Sequence, residues 1–249
     1  MITTKRRRRA STILLILQLL WLAGCGTTIL NARFEGEQPG PPDTTPNGDP
    51  VDDQLQVIDH WPSSPIVLNS GGGAAGITTP SLFMRPVESS EDENAAIRFK
   101  TTKDYDPSRK RTISWQGRWY VGDHFECRVG GMYGSQFRYG PTVRFKAGKA
   151  QTFAGSTWHD IAPIELGEVH SVRIRYYPDN TFYVAVTQPN TAEGRFPAQG
   201  LASVTPYSIP AIEQTERLML HCQFVSTKVA GSTEYRYVID DVRVKQDKG

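Results

Sequence analysis

His124, Glu126 and Arg128 alternate with Phe125, Cys127 and Val129. In an extended chain an imidazole, a carboxylate and a guanidinium then share one face and the apolar residues share the other. Such a row could bind a polar ligand or move a proton, and outward polar alternation on an ordinary strand explains it equally well. The histidines are His60, His124, His159, His170 and His221. No two of them have the i, i+4 spacing of a zinc-binding helix, and none sits in a Cys/His cluster. No Ser-His-Asp arrangement can be assigned, because a triad is recognised by geometry rather than by order. The densest acidic cluster, Glu91-Asp92-Glu93, is flanked by Ser89-Ser90 and Asn94 and reads as a solvated turn.

Aromatic residues are the better hint. Trp115, Trp119, Tyr120, Tyr133, Phe137, Tyr139 and Trp158 crowd the middle of the chain. Flat rings suit the C–H side of a sugar, with polar neighbours taking its hydroxyls. Trp119, Tyr120, Tyr139 and Trp158 are the ligand-binding candidates, with Arg118, Asp123 and Asp160 as polar neighbours. Core packing is the competing use of such rings. It is preferred for Trp115, which is in line with Ile113, and stays open for Trp119 and Trp158. Arg138 and Arg144 could bind an acidic polymer or serve solubility and edge protection.

The elements that must position these groups are strands. Val172, Ile174 and Tyr176 alternate with Arg173 and Arg175, and Pro178-Asp179-Asn180 then turns the chain into Phe182, Val184 and Val186, which spells a hairpin. Leu218, Leu220, Cys222 and Phe224 alternate with Arg217, Met219, His221 and Gln223, giving another half-buried strand. Further strands are expected at Leu30 to Phe34, Ile97-Phe99, Ile113-Trp115, Phe125-Val129, Val143-Phe145, Thr152-Ala154 and Tyr237 to Val244. Gly and Pro fill the connections, so the pattern is that of an all-β sandwich or barrel. One short helical turn is expected near Pro210 to Thr215. Pro39 to Asp53 and the glycine run after Asn69 read as loops inside one fold. The glycine run lacks the Gly-Lys-Ser/Thr of a phosphate-binding loop.

At the N-terminus, Lys5 and Arg6 to Arg9 precede the apolar run Ile13 to Leu22, and Leu22-Ala23-Gly24-Cys25 follows. This is the layout of a secretory signal, and about a dozen apolar residues fall short of the roughly 20 that span a membrane. The final four residues resemble the lipobox of bacterial lipoproteins. That resemblance implies cleavage before Cys25, palmitate or a similar acyl chain on Cys25, and residence in a bacterial membrane, at the outer membrane or cell surface. Removing residues 1–24 takes away five of the 28 basic residues and leaves 23 against 26 acidic ones, a net charge of −3. The basic balance therefore belongs to the export signal and is no argument for nucleic acid. Cys127 and Cys222 would be the remaining thiols, either paired as a disulfide or buried as small hydrophobes.

Tyr237-Val238-Ile239-Asp240-Asp241-Val242-Arg243-Val244-Lys245-Gln246 resembles the closing strand of concanavalin A-like jelly rolls, the superfamily of laminarinase-type glucanases, legume-type lectins and laminin-G-like modules. Asn31-Ala32-Arg33-Phe34-Glu35 with Gly36 resembles their opening strand, and Gly167 to Ile174 resembles a further internal segment. The resemblance implies an antiparallel jelly-roll β-sandwich over residues 29–246, after a signal peptide (1–24) and a short lipidated tether (25–28), with a tail at 247–249. In a regular strand Val238, Asp240, Val242 and Val244 would share a face, so Asp240 would need a compensating partner. In glucanase relatives the matching aspartate ligates a structural calcium, which nominates Glu35 and Asp240 as metal ligands here; oxygen donors suit that ion. The alternative puts Asp240 at the sheet rim, bonded to backbone amides.

The Glu-x-Asp-x-x-Glu strand of the laminarinase-type hydrolases is absent. Arg144-Phe145-Lys146-Ala147-Gly148 is similar to an element of jelly-roll alginate lyases, and Glu126-Cys127-Arg128 echoes another, while their Gln-x-His element is missing. The expectation is a membrane-anchored carbohydrate-binding jelly roll without an assigned catalytic residue. A polysaccharide lyase or glycoside hydrolase with a non-standard site around His124, Glu126, Arg128 and Lys146 is the alternative from another class. A structural protein of the cell envelope is a third.

Overall fold

The computed structural model describes residues 26–33, 55–58, 66–69, 81–84, 96–120, 124–133, 136–203, 217–224 and 237–247. Cys25, Glu35, the acidic cluster at Glu91 to Glu93, Asp123 and the expected helical turn near Pro210 lie outside these residues, as do the Pro39 to Asp53 segment and the glycine run after Asn69.

Two antiparallel sheets pack face to face as a jelly-roll β-sandwich. One is ordered β13 (Gly194–Phe196), β12 (Thr181–Thr187), β11 (Val169–Tyr176), β6 (Arg111–Trp119), β16 (Tyr237–Gln246), β4 (Ser81–Met84) and β3 (Ile66–Asn69). β14 (Ala202–Ser203) adds to β12, and β1 (Thr27–Ala32) adds to β16. The second sheet runs β10 (Thr157–Pro163), β9 (Lys149–Ala154), β8 (Gln136–Lys146), β7 (Phe125–Tyr133), β15 (Met219–Phe224), β5 (Ala96–Lys100) and β2 (Leu55–Ile58). β1 starts at Thr27, opposite Gln246. The opening strand therefore begins three residues earlier than the alternation from Leu30 suggested, and correspondingly closer to Cys25.

Period-two alternation builds the core. Ile113 and Trp115 of β6, Val172, Ile174 and Tyr176 of β11, and Phe182, Val184 and Val186 of β12 point inward from the first sheet. Phe99, Phe125, Cys127, Val143, Phe145, Leu220 and Cys222 meet them from the second. The hairpin between β11 and β12 turns where its residues specify. Asn180 takes a positive φ of 60°, and the Asp179 carboxylate accepts from the Thr181 amide at 3.0 Å. Cys127 and Cys222 are register partners on β7 and β15, both buried free thiols, with Sγ atoms 3.1 Å apart.

A buried polar chain crosses three neighbouring strands of the first sheet, β6, β16 and β11. Trp115 Nε1 donates to the Tyr237 hydroxyl at 3.2 Å, and that hydroxyl is hydrogen-bonded to His170 Nε2 at 2.8 Å. The Tyr237 ring stacks on Phe125, centroids 3.9 Å apart. Gly117 makes room for this chain, since a Cβ there would meet the Tyr237 oxygen at 2.2 Å and His170 Nε2 at 2.8 Å.

Two of the register shifts, one in each sheet, decide how the candidate residues face. On β16, Asp240 faces Gln116 and Arg243 faces Ser114, so Asp241 and Val242 together oppose Trp115. Asp241 takes a positive φ of 52°. Tyr237, Ile239, Val242 and Val244 consequently join the main core, while Val238 packs with Phe83 on the other side of the sheet. The expectation that Val238, Asp240, Val242 and Val244 share one face is thus corrected. The bulge also provides for Asp240, which is only 6% exposed: its Oδ1 accepts from the Asp241 amide at 2.7 Å. The second bulge is on β8, where Thr142 opposes Arg128 and Tyr139 opposes Gly130. Gly140 and Pro141 form the extra step, and the outward set changes from Phe137 and Tyr139 to Thr142 and Arg144.

Candidate functional site

Once the inward residues of the second sheet are assigned, the outward ones fall into a register-aligned row. Gln223 on β15 pairs with Glu126 on β7, Glu126 with Arg144 on β8, Arg144 with Gln151 on β9, and Gln151 with Asp160 on β10. A second row beside it carries Arg98, His221 and Arg128 on β5, β15 and β7. Cross-strand neighbours at this spacing interact directly. The outcome is a solvent-facing sheet surface on which a carboxylate, several guanidiniums and amide groups are already connected.

Glu126 is its most buried charge, at 3% exposure. Its Oε1 lies 2.6 Å from His124 Nε2, and its Oε2 accepts from Arg128 Nε at 2.7 Å and lies 2.6 Å from Nη2. Burial pushes this carboxyl up, but the adjoining His124 imidazole and Arg128 guanidinium outweigh burial and hold it below its ordinary range. Glu126 is therefore an anion held between the Arg128 guanidinium and the His124 imidazole. His221 is the opposite case. Arg98 Nε donates to its Nδ1 at 3.1 Å, so Nε2 carries the proton and donates to Gln223 Oε1 at 2.9 Å. Burial first, with the Arg98 and Arg128 charges adding to it, lowers its pKa to about 4 and keeps the ring neutral.

Aromatic rings stand among these charges. The Arg98 guanidinium carbon lies 5.0 Å from the centre of Phe137, that of Arg128 4.8 Å from Tyr139, and that of Arg144 3.7 Å from Trp158. Phe153 meets Trp158 edge-on, with centroids 5.3 Å apart. Phe137 passes over Gly130, where a Cβ would come within 2.7 Å of the ring. At the sheet edge Asp160 takes Lys149 and Gln151 as donors, and these two hold its carboxyl below its ordinary range.

The expected ligand residues separate. Tyr139 and Trp158 lie on this face, together with His124, Glu126, Arg128 and Arg144. Trp119 does not: it is fully buried with its ring 6.0 Å from Phe145, and this corrects its assignment to a ligand site. Tyr120 is displaced as well, packing with Phe83, Val238 and Val169 on the outside of the nine-stranded sheet. Arg138 alternates with Phe137 and Tyr139 and so lies on the opposite side of β8 from them. Lys146 ends β8 and is exposed, one step beyond Phe145, which pairs with Phe125. It therefore stands at the same end of the sheet as His124.

Arg98, Gln151, Phe137 and the His221–Gln223 pair complete the face, although the motif reading gave them no role. Their outward positions follow from alternation with Ile97, Phe99, Leu220 and Cys222, but which strands lie side by side is not written in any local pattern.

The nine-stranded sheet offers a concavity of about 260 Å³ beside the β16 bulge, lined by Ser114, Gln116, Ser171, Arg173, Thr187 and Asp241 among others. Its charges are internally balanced, Arg173 with Glu193 at 2.9 Å and Asp241 with Arg243 at 2.6 Å. Among the described residues no three His, Cys, Asp or Glu side chains converge as a metal site. The expected partner of Asp240, Glu35, lies outside them.

The fold and this surface define an antiparallel jelly-roll sandwich with a cationic, aromatic sheet face. No protein-family model matches the sequence, and no curated protein does. Solved structures do share the fold. A carbohydrate esterase from the Shiga toxin-encoding bacteriophage phi24B superposes with a TM-score of 0.55 at 11% identity, over 90% of this chain and 100% of that one. A protein of unknown function from Shewanella oneidensis MR-1 gives 0.52 at 12% identity over 92% and 93%. The globular domain of T. cruzi calreticulin gives 0.51 at 8% over 89% of each chain. At these identities the likeness is one of fold.

Proposed function

We propose that this chain is a carbohydrate-binding β-sandwich of the concanavalin A-like class, and that the outer face of its seven-stranded sheet is the binding surface. The observation that carries the reading is the continuous row from Gln223 through Glu126, Arg144 and Gln151 to Asp160, bordered by Tyr139 and Trp158. Amide and charged groups fixed on a rigid sheet suit a chain of hydroxyl-bearing rings better than a compact ligand. A structural neighbour described as a carbohydrate esterase is in keeping with that choice. A glycan array with the wild type and the Tyr139→Ala plus Trp158→Ala double variant tests it. Loss of binding in the variant is expected, and unchanged binding would overturn the site.

Acylation of Cys25 is part of the same proposal, with the sandwich held at the membrane surface of a bacterial envelope. With β1 starting at Thr27, hardly any tether separates the lipid from the fold, so the glycan would be met close to the membrane. Mass analysis of the mature N-terminus should find lipid on Cys25, and a Cys25→Ser chain should leave the membrane fraction.

One observation favours a catalytic reading of the same face. His124 Nε2 lies 2.6 Å from the fixed Glu126 carboxylate, the arrangement by which a carboxylate orients a histidine base. Lyase action would release ultraviolet-absorbing unsaturated ends, and hydrolysis would release reducing ends. A substrate screen in which His124→Ala abolishes either product would establish the enzyme, and a screen without product would leave binding alone.

A further inference from the structure

Aromatic rings on a sugar-binding surface usually offer bare faces, and on this sheet they are occupied. Arg144 covers Trp158, Arg128 covers Tyr139 and Arg98 covers Phe137, with guanidinium carbons 3.7, 4.8 and 5.0 Å from the ring centres. A ring already stacked on a guanidinium does not present that face to a pyranose. What it provides is an arginine whose plane is set in advance.

Arg144 is the clearest case. Its Nε donates to Gln151 Oε1 at 2.8 Å, which fixes the rotation of the guanidinium. No described residue accepts from its two terminal nitrogens, and no described carboxylate forms an ion pair with it. The neighbouring anions are engaged elsewhere, Glu126 with His124 and Arg128, and Asp160 with Lys149 and Gln151. Arg98 likewise spends its nitrogens on neutral atoms, His221 Nδ1 and Met132 Sδ. Neither guanidinium forms an ion pair with a described carboxylate, although Glu126 and Asp160 lie near enough to Arg144 to attract its charge. Arg144 and Arg128 are diagonal neighbours on β8 and β7, roughly 7–8 Å apart along the sheet, and Arg98 follows two strands from Arg128, roughly 10 Å away.

We infer that the glycan is polyanionic, a chain of uronate or sulfated sugars, whose carboxylates or sulfates are taken by Arg144 and Arg98 across this sheet. The inference rests on the carbohydrate-binding reading and adds the charge of the ligand. A planar guanidinium held by stacking binds such groups through paired N–H bonds, and its loss removes charge-assisted hydrogen bonds.

Calorimetric titration of the intact protein with polygalacturonate, dextran sulfate, neutral dextran and polyphosphate provides the test. Polygalacturonate or dextran sulfate should bind with an affinity that falls as salt rises, and neutral dextran should not bind. Arg144→Gln should weaken that binding about tenfold or more, and Trp158→Ala should weaken it too by releasing the guanidinium, with thermal melts confirming that both variants fold. If neutral dextran binds as well as the polyanions and Arg144→Gln matches the wild type, the polyanion inference fails while carbohydrate binding stands. If no glycan binds, both fail. If polyphosphate binds as tightly as polygalacturonate, the face reads charge alone and the inference is overturned.

Discussion

Arg144 lies against Trp158, its guanidinium carbon 3.7 Å from the ring centre. The two residues come from β8 and β10, the strands on either side of β9, and the β8–β9–β10 meander brings them onto one face. Phe153 of β9 meets the indole edge-on. This small assembly converts an aromatic that reads as a sugar platform into a support for a cation.

The two tryptophans should behave oppositely on substitution. Trp119→Ala removes a fully buried ring beside Phe145 and should cost about 3–5 kcal/mol of stability. Trp158→Ala should leave the denaturation midpoint nearly in place and change ligand binding instead. Chemical denaturation of both variants checks this, and equal losses would place Trp158 in the structural core.

Glu126→Ala should destabilise the fold through the charge it leaves behind. The Arg128 side chain is 21% exposed, so water relieves part of the loss. The expected cost is about 2–3 kcal/mol, below the range for a wholly buried pair. Replacing Arg128 as well, by Met, should recover part of that loss in a double-mutant cycle, and strict additivity would mean that the pair is not coupled.

Stability should decline with acid through two buried histidines. The pKa of His170 is lowered to about 3 and that of His221 to about 4, both chiefly by burial, from an ordinary 6.5. The unfolded chain therefore takes up these protons first. The stabilisation is complete above pH 6.5 and is lost as pH falls towards 4 for His221 and 3 for His170. Each site can contribute about 1.4 kcal/mol per pH unit within its window. Melting temperatures measured across that range should fall for the wild type and fall less steeply for His221→Gln; parallel curves would exclude His221 as a contributor.

Gly117→Ala should test the polar chain in the core. The added methyl would stand 2.2 Å from the Tyr237 oxygen, so the Trp115–Tyr237–His170 bonds must shift. Overpacking of this kind costs about 1–3 kcal/mol. Adding Tyr237→Phe, which removes the obstructing oxygen, should restore part of the loss, and no restoration would mean that the methyl clashes elsewhere.

Cys127 and Cys222 should be silent towards thiol reagents in the folded, reduced protein. Both are fully buried, and burial raises the Cys127 thiol well above its usual pKa. Labelling should therefore follow global unfolding. Fast labelling in native buffer would show that β7 and β15 separate locally.

Much of this molecule was legible before any coordinates. Alternation of Val172 with Arg173 and of Leu220 with His221 identified strands, because residues of a half-buried strand must send apolar side chains one way and polar ones the other. The Pro178-Asp179-Asn180 turn appeared where its residues placed it, and the outward row of His124, Glu126 and Arg128 was correctly grouped. Three kinds of information needed the tertiary structure. The bulges at Asp241-Val242 and Gly140-Pro141 reverse the facing of the residues beyond them, since one extra residue shifts a period of two by half. The fate of each aromatic depended on what lies across the sandwich: Trp119 met Phe145 in the core, and Trp158 met Arg144 outside. The order of strands, finally, decided that Gln223, Glu126, Arg144, Gln151 and Asp160 share a row. Hydrogen-bonded neighbours in a sheet can lie a hundred residues apart, and only closure of the whole fold determines which strands pair.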